Sequence, residues 1–269
     1  MERITSRQNP IVRRFRTVAR GEAGDPGAGA IDVLLDGTHL LQEALAARLA
    51  IEAAAFAQDG DADRTLVDAV ARAGGRTIAA PAQVIAAMSP VRQHTGVVAI
   101  AKAAPAMLDE VFGAPGALVL ALAGIQDPGN VGAIVRTAAA AGATGVVAMD
   151  GSADPYGWKA LRGAMGGTFR LPVARRATLD AITAAARTAN CRLIAAVPRG
   201  GTPLPRVDLR QPCALLLGAE GGGLDATLAE AAEERVTIPM ARPVESLNVA
   251  VAAALLLYEA ARQRGWLDR

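Results

Sequence analysis

The chain has 269 residues, of which 52% are hydrophobic and 20% are charged, so it can bury a sizeable core in one large domain or two ordinary ones. No stretch reaches the roughly 18 apolar residues of a membrane span, and no apolar run follows the first arginines, as a secretory signal requires. We therefore expect a cytoplasmic protein without membrane contact, and the net charge of +2 gives no strong electrostatic signal.

The first 20 residues are basic, with six arginines against one glutamate. Ser6 or Asn9, followed by Pro10, predicts the start of a short helix over residues 6–20. A basic leader is either a solvated helix or an arm that contacts nucleic acid, and the charge pattern leaves both open. A loop rich in glycine and proline follows at residues 21–30.

From Ile31 onward, short apolar runs alternate with amphipathic stretches, which predicts a small α/β sandwich. The predicted strands cover residues 31–36, 51–57, 76–80 and 96–101, and the predicted helices cover 37–48, 61–73 and 81–88. His39 and His94 fall in separate elements with no cysteine or acidic cluster beside them. The sequence therefore predicts no metal site.

Residues 103–116 contain two proline breaks and are the predicted linker between an N-terminal domain, 1–102, and a C-terminal domain, 117–269. The C-terminal domain has apolar runs at 117–124, 145–150, 191–197, 213–220 and 236–240, with helical stretches between most of them. This alternation predicts a parallel sheet with helices on both faces. Cys191 and Cys213 each begin a predicted strand, so we expect small core residues and no disulfide.

Three loops, 124–136, 215–224 and 238–250, each follow one of these strands and combine glycine with polar side chains. Loops at the carboxyl ends of parallel strands converge on a site. We expect that site to contain Asn130, Arg136, Glu220, Ser246 and Asn248. Neither GxxxxGK nor GxGxxG is present, which disfavours a doubly wound nucleotide-binding enzyme. The glycines of the second loop either make tight turns or let a flat ligand lie against the backbone.

The three loops resemble the three motifs of the SpoU/TrmH family of RNA ribose 2′-O-methyltransferases, in the SPOUT class. The matching residues are Asn130, Gly132, Ala133, Ile134 and Arg136 in the first motif, Leu217, Gly218, Glu220, Gly221 and Gly223 in the second, and Ile238, Pro239, Ser246, Leu247, Asn248, Val249 and Ala252 in the third. The N-terminal part resembles the family's substrate-binding domain, and residues 4–16 resemble its leader. The resemblance implies a C-terminal SPOUT domain with a trefoil knot that binds S-adenosyl-L-methionine, without metal.

The resemblance also implies roles for single residues. Catalysis is expected of Arg136, Asn130, Glu220, Ser246 and Asn248. Cofactor contacts are expected of Leu217, Gly218, Glu220, Gly221, Ile238, Pro239, Ser246, Leu247 and Asn248. The basic residues with which we associate RNA binding are Arg7, Arg13, Arg14, Lys159 and Arg162.

The expected substrate is large-subunit ribosomal RNA, because the extra N-terminal domain goes with that subgroup of the family, and transfer RNA is the second choice. The alternative class is an RNA-binding module without catalysis on the same fold. The helix from Leu247 to Arg262 is apolar on almost every face, which predicts a homodimer through this helix. The apolar stripe expected to be exposed in a monomer comprises Val249, Leu255 and Leu256. The alternative is that other parts of the same chain bury this stripe.

Overall fold

The computed structural model describes residues 1–21, 29–58, 63–93, 95–219 and 222–265. The chain forms two compact units, each built around its own β-sheet. The first unit comprises Met1–Pro105 and Tyr156–Phe169, and the second comprises Ala106–Pro155 and Arg170–Arg269. The break at Pro105 lies within the predicted linker, while the grouping of Tyr156–Phe169 with the first unit has no counterpart in the sequence analysis. The predicted domain limits stay a prediction.

The secondary structure alternates between strands and helices along the described chain. The strands are β1 (Glu2–Arg3), β2 (Ile31–Asp36), β3 (Ala50–Ala57), β4 (Arg76–Ala80), β5 (Val97–Ala103), β6 (Leu118–Leu122), β7 (Gly145–Met149), β8 (Val173–Ala177), β9 (Arg192–Ala196), β10 (Thr202–Pro203), β11 (Cys213–Leu217) and β12 (Glu234–Thr237). The helices are α1 (Pro10–Ala19), α2 (Thr38–Ala46), α3 (Arg64–Arg72), α4 (Ala82–Met88), α5 (Leu108–Phe112), α6 (Pro128–Ala140), α7 (Trp158–Ala164), α8 (Leu179–Thr188), α9 (Ala226–Ala231) and α10 (Val249–Gln263).

The first unit contains a five-stranded mixed sheet in the order β1-β4-β3-β5-β2. Strands β1, β4 and β3 run parallel, and β5 runs antiparallel to β3 and β2. Helix α1 begins after Asn9, whose side chain accepts a hydrogen bond from Ile11 N, as predicted. Its apolar side chains, Val12 and Phe15 among them, are buried in the core with β4 and α4. The basic leader is therefore part of this core.

The second unit contains a seven-stranded sheet in the order β10-β12-β9-β11-β6-β7-β8, in which every pair is parallel. All residues of β6 and β11 are buried, because both strands lie centrally in the sheet. The carboxyl ends of the strands consequently meet at one edge of the sheet. This confirms the predicted α/β class, with a small N-terminal unit and a parallel C-terminal sheet. The trefoil knot stays a prediction.

Helix α10 departs from its predicted exposure. Val249 and Leu256 are buried within the second unit, whereas Leu255 is exposed, so the predicted stripe of three is wrong at two positions. The two side chains are buried because α10 packs on α6 within the same unit. None of the helices in the described part of the chain has the length and hydropathy needed to cross a membrane.

Both cysteines are free and buried, as predicted. Cys213 pairs in register with Arg192 across β11 and β9, so Cys191 points to the opposite face of the sheet from Cys213. Burial raises the pKa of the Cys191 thiol to about 12 and also raises the pKa of Cys213. Neither thiol is positioned or ionised for disulfide or nucleophilic chemistry in this fold.

Candidate functional site

The loop after β6 leads directly into the first turn of α6. The Asp127 carboxylate accepts hydrogen bonds from the backbone N–H groups of Gly129 (2.5 Å) and Asn130 (3.3 Å) and so caps the helix. Pro128 occupies the first helical position, where its missing N–H costs nothing. This cap fixes the position of Asn130 at the carboxyl end of the sheet. Arg136 lies further along the same helix and is exposed.

The loop after β12 ends on Asn248, which caps α10. The Asn248 Oδ1 accepts hydrogen bonds from Ala250 N (2.9 Å) and Val251 N (3.3 Å). Because this oxygen faces two backbone donors, the other end of the amide must be the NH₂ group. That group donates to Asn130 Oδ1 at 3.2 Å. The first and third loops, predicted to converge, are thus joined by a hydrogen bond between two asparagines.

A cavity of about 520 Å³ opens beside this pair, in the size range of a small-molecule site. Most of the cofactor contacts expected from the resemblance line it, namely Leu217, Gly218, Ile238, Ser246, Leu247 and Asn248. Pro239 is exposed and is not among the lining residues. Glu220 and Gly221 lie outside the described residues. The roles of all these residues stay predictions.

The second loop folds back on itself at the floor of the cavity. Gly223 N donates to Ala219 O at 2.9 Å, and a Cβ added at Gly218 would overlap the backbone of Gly223 and Leu224. Position 218 must therefore be glycine for the loop to close. At Gly222 and Gly223, by contrast, a Cβ would meet no atom within 4 Å, so these residues leave open space at the cavity.

Several lining residues were missed by the sequence analysis: Ala196, Val197, Pro198, Met240 and Glu245. Ala196 is the last residue of β9, and Val197 and Pro198 follow it. The position of β9 between β12 and β11 brings the carboxyl end of this strand to the cavity. Sequence patterning does not reveal strand order, so it offered no signal for them. Glu245 is the only ionisable side chain among the described lining residues, and its Oε1 lies 3.2 Å from Arg199 Nη2.

The basic residues associated with RNA binding all lie in the first unit. Arg7 donates to Gln83 at 3.4 Å, and Arg13 is exposed on α1. Lys159 and Arg162 are exposed on α7, where the Lys159 ammonium lies 5.5 Å from the centre of the Trp158 ring. These residues remain candidates for contact with phosphate.

Arg14 has a different setting from the other predicted RNA contacts. Its Nη2 lies 2.7 Å from Glu52 Oε2 and 2.8 Å from Asp32 Oδ2. The hydrogen bond to Glu52, followed by that to Asp32, raises the pKa of Arg14 above its ordinary value despite partial burial. A guanidinium engaged with two carboxylates has fewer free N–H donors for an RNA phosphate. The structure thus gives Arg14 a place in an ion-pair cluster.

Two family models match the chain. Residues 117–258 match the family described as SpoU rRNA Methylase. Residues 34–107 match the one described as RNA 2′-O ribose methyltransferase substrate binding. The first match covers the second sheet, the three loops and most of α10, and the second covers most of the first sheet.

Known proteins resemble the chain along most of its length. A Synechocystis protein described as an uncharacterized tRNA/rRNA methyltransferase is 35% identical over 269 residues, which cover 97% of this chain and 94% of the relative. The 23S rRNA (guanosine-2′-O-)-methyltransferase RlmB of Burkholderia is 37% identical over 207 residues, 75% of this chain and 83% of RlmB. The crystal structure of an AdoMet-bound rRNA methyltransferase from Sinorhizobium meliloti matches with a TM-score of 0.84 at 29% identity and covers 97% of both chains.

Proposed function

The chain belongs to the SpoU rRNA methylase family, and we propose on that premise that the RNA it methylates is 23S ribosomal RNA. It is an RNA ribose 2′-O-methyltransferase whose methyl donor is S-adenosyl-L-methionine. The ribosomal substrate is supported by the RlmB relative and by the substrate-binding family model in the first unit. A cytoplasmic location follows from this substrate and is part of the proposal.

The cavity beside β9, β11 and β12 fits this methyl donor. Val236, Ile238 and Leu247 offer apolar surface for a flat base, and the glycines of the second loop leave room beside the backbone. The Glu245 carboxylate also lines the cavity, where it is paired with Arg199. When bound, S-adenosyl-L-methionine supplies a methyl group on a positively charged sulfur. A nucleophile takes this methyl group by in-line displacement of the sulfur.

The observation that carries the catalytic assignment is the hydrogen bond between Asn248 and Asn130 at the edge of this cavity. We assign these two side chains, with Ser246, to hydrogen bonds with the ribose, the cofactor or Arg136. Glu220 is assigned to hold Arg136 or Asn130. In this proposal, the polar side chains orient the ribose 2′-hydroxyl toward the methyl group. Correct orientation of the two reactants lowers the barrier to displacement.

Arg136 is assigned to the phosphate beside the reacting ribose. Its planar guanidinium can bind a phosphate through two parallel hydrogen bonds, and its positive charge lowers the pKa of a nearby hydroxyl. An arginine with a pKa above about 12 is a poor proton acceptor. The proton of the 2′-hydroxyl therefore leaves through the phosphate or water in this proposal.

The test is a methylation assay of the full chain with S-adenosyl-L-methionine and either 23S rRNA or transfer RNA, followed by mapping of 2′-O-methyl positions. Methylation confined to transfer RNA would overturn the ribosomal substrate. Binding of both cofactor and RNA without methylation would favour the non-catalytic module.

Arg136→Ala should reduce the methylation rate about 10²- to 10⁴-fold, and Arg136→Lys should also methylate slowly. Arg187→Ala, at another exposed arginine of the second unit, is the matched control.

We further propose that the protein is a homodimer through α10. Val251, Leu255 and Tyr258 are 49%, 44% and 45% exposed and follow one another at spacings of four and three residues, so they form one apolar stripe. The family resemblance supports a second copy as the cover for this stripe. Leu256 is fully buried, so Leu256→Glu would unfold the unit and cannot report on the dimer.

Leu255→Glu should therefore produce monomers in light scattering at micromolar concentration, with an unchanged circular dichroism spectrum. Met107→Glu, at an apolar side chain that is 69% exposed outside α10, is the control and should leave the assembly unchanged. A wild-type protein that is monomeric under the same conditions would contradict the proposal.

A further inference from the structure

Two hydroxyl side chains bind the backbone of β6, one at each end of the strand. Thr144 Oγ1 accepts from Leu118 N at 3.0 Å and donates to Leu118 O at 3.2 Å, at the first residue of β6. Ser152 Oγ donates to Leu122 O at 2.7 Å, at the last residue, and accepts from Ile125 N at 3.2 Å. Both side chains are half-buried. The two contacts are alike in chemistry, but only the Ser152 contact lies at the end of β6 that leads to the site.

The Ser152 contact joins the loop after β7 to the loop after β6. Ala153 N adds a backbone hydrogen bond to Ile125 O at 2.8 Å. Gly124 and Gly151 both have positive φ, and a Cβ added at Gly151 would lie 4.0 Å from Gly124 Cα. The two loops are therefore in close contact. Residues 152 and 153 thus make two hydrogen bonds with Ile125 of the loop after β6, and the Ser152 hydroxyl makes a third with Leu122 at the end of the strand.

The loop held in this way carries Asn130. Asp127, which caps α6, follows Ile125 by two residues, and Asn130 lies in the first helical turn. Because the Asp127 cap ties this loop to the first turn of α6, a shift of the backbone at Ile125 would move the Asn130 amide as well. The Asn130 Oδ1 must in turn meet Asn248 Nδ2, 3.2 Å away. A shift of the loop would separate these two side chains without changing the sheet.

We propose that Ser152 is a positioning residue of the methyl-transfer site, which holds the Gly124–Asp127 loop so that Asn130 meets Asn248. This inference rests on the proposed function. Ser152 does not line the cavity assigned to the cofactor, so its effect should fall on the transfer step and not on cofactor binding. Misplacement of a reacting group by about 1 Å can cost about 10²-fold in rate.

Thr144 provides a matched control, because removal of its hydroxyl also deletes two hydrogen bonds, in this case both to Leu118 of β6. Ser152→Ala and Thr144→Val remove only the hydroxyl function in each case. We expect both variants to lose a similar amount of thermal stability. Ser152→Ala should lower kcat roughly 10- to 100-fold, with a cofactor Kd within about twofold of wild type. Thr144→Val should leave kcat within about twofold, and Ser152→Thr, which keeps the hydroxyl, should restore most of the rate.

A kcat for Ser152→Ala equal to that of Thr144→Val, at equal loss of stability, would overturn the inference. Amide hydrogen exchange gives a readout that does not need activity. Ser152→Ala should speed exchange at Ile125, Asn130 and Val131, whereas Thr144→Val should speed it at Leu118. Unchanged exchange at Ile125 and Asn130 would also overturn the positioning role. A wild type that methylates no RNA would count against the proposed function, and the exchange data would still decide the role of Ser152.

Discussion

The side-chain amide of Asn248 is used at both of its ends. Its oxygen caps α10 through Ala250 N and Val251 N, and its nitrogen donates to Asn130. The cap stabilises a helix, whereas the donor links two loops of the site. These two uses can be separated chemically, because an aspartate caps a helix as well as an asparagine does but has no N–H to donate.

We predict that Asn248→Asp keeps the stability of the protein close to wild type but loses most of the methylation rate. Asn248→Ala should lose activity and also about 1 kcal/mol of stability, because the cap is removed. Urea unfolding and single-turnover methylation measure the two effects. Equal stability loss in both variants would show that the donor, and not the cap, holds α10 in place.

Asp32 is a second residue whose surroundings make a measurable prediction. Burial would raise the pKa of its carboxyl, but Lys102 and Arg14 together lower it below the ordinary value. The Lys102 Nζ lies 2.5 Å from Asp32 Oδ1, so the two groups form an ion pair. A lowered pKa in the folded state stabilises the protein only while the carboxyl is ionised.

The contribution of Asp32 should therefore be present above about pH 4, the pKa of an unfolded aspartate, and be lost as the pH falls through the lower folded value. We expect the difference in unfolding free energy between wild type and Asp32→Asn to be largest near neutral pH. It should shrink toward pH 3 in urea titrations. A difference that stays constant with pH would contradict the ion-pair assignment.

The position of a site residue could be predicted from the sequence where the residue lies in a loop directly after a predicted strand. Asn130 and Asn248 could be expected to meet, because each follows a strand of one parallel sheet. Arg14 could not be separated from its neighbours in the leader by sequence. Its partners Asp32 and Glu52 lie 18 and 38 residues away, and only the packing of α1 on the sheet brings them together.

At the scale of elements, Arg264 holds the C-terminal end of α10 to the segments that lead into β6 and β11. The Arg264 guanidinium donates to the carbonyl oxygens of Leu209 (2.7 Å), Gly116 (2.5 Å) and Gln211 (2.8 Å), among others. Gln263 adds hydrogen bonds to the same segment, with Val207 O and Leu209 N both at distances below 3.0 Å. Helix α10 begins at the site and ends at this clamp.

Arg264→Gln should destabilise the second unit by about 2 kcal/mol, because several backbone carbonyls lose a charged donor. Arg262→Gln is the control at the same end of the helix. Its side chain is 65% exposed, and its partner among the described residues is Glu259 of the same helix, so its loss should leave the unfolding midpoint close to wild type. Similar midpoints for the two variants would show that the clamp contributes little.

The elements that the sequence predicted are those with continuous apolar runs or clear helical spacing. Strands β6 and β11 are buried along their whole length and were evident for that reason. Strand β8 was missed because it contains Arg175 and Arg176 at the edge of the sheet, where a polar residue costs little. Strands β1 and β10 have two residues each, which is too short for any periodicity.

At the scale of the whole molecule, the sequence indicated two α/β parts but not which segments belong to each. Tyr156–Phe169 lies in the middle of the C-terminal sequence, yet it groups with the first unit, where α7 packs on β2. Strand β2 is the edge strand of that sheet. An edge strand is often covered by another element, and Trp158 joins the apolar core there. Contacts of this kind depend on long-range packing and leave no periodic signal.

The basic leader can now be tested without unfolding the first unit. Deletion of residues 1–20 would remove Val12 and Phe15 from the core, so its effect on RNA binding would be ambiguous. Arg13 and Arg16 are exposed on α1 and lie three residues apart on one face of the helix. They can be neutralised with little cost to packing.

We predict that the double variant Arg13→Gln, Arg16→Gln binds RNA more weakly and with a flatter salt dependence. The slope of log K against log salt is negative. Its magnitude should decrease by about 0.7 to 0.9 for every phosphate that an arginine no longer neutralises, because fewer counterions are released. The control is Arg64→Gln, Arg72→Gln, which removes the same charge from exposed positions of α3 in the same unit. Equal slopes for the two double variants would show that net charge alone attracts the RNA. An unchanged slope for the α1 variant would show that α1 is a solvated helix and that the RNA is held elsewhere.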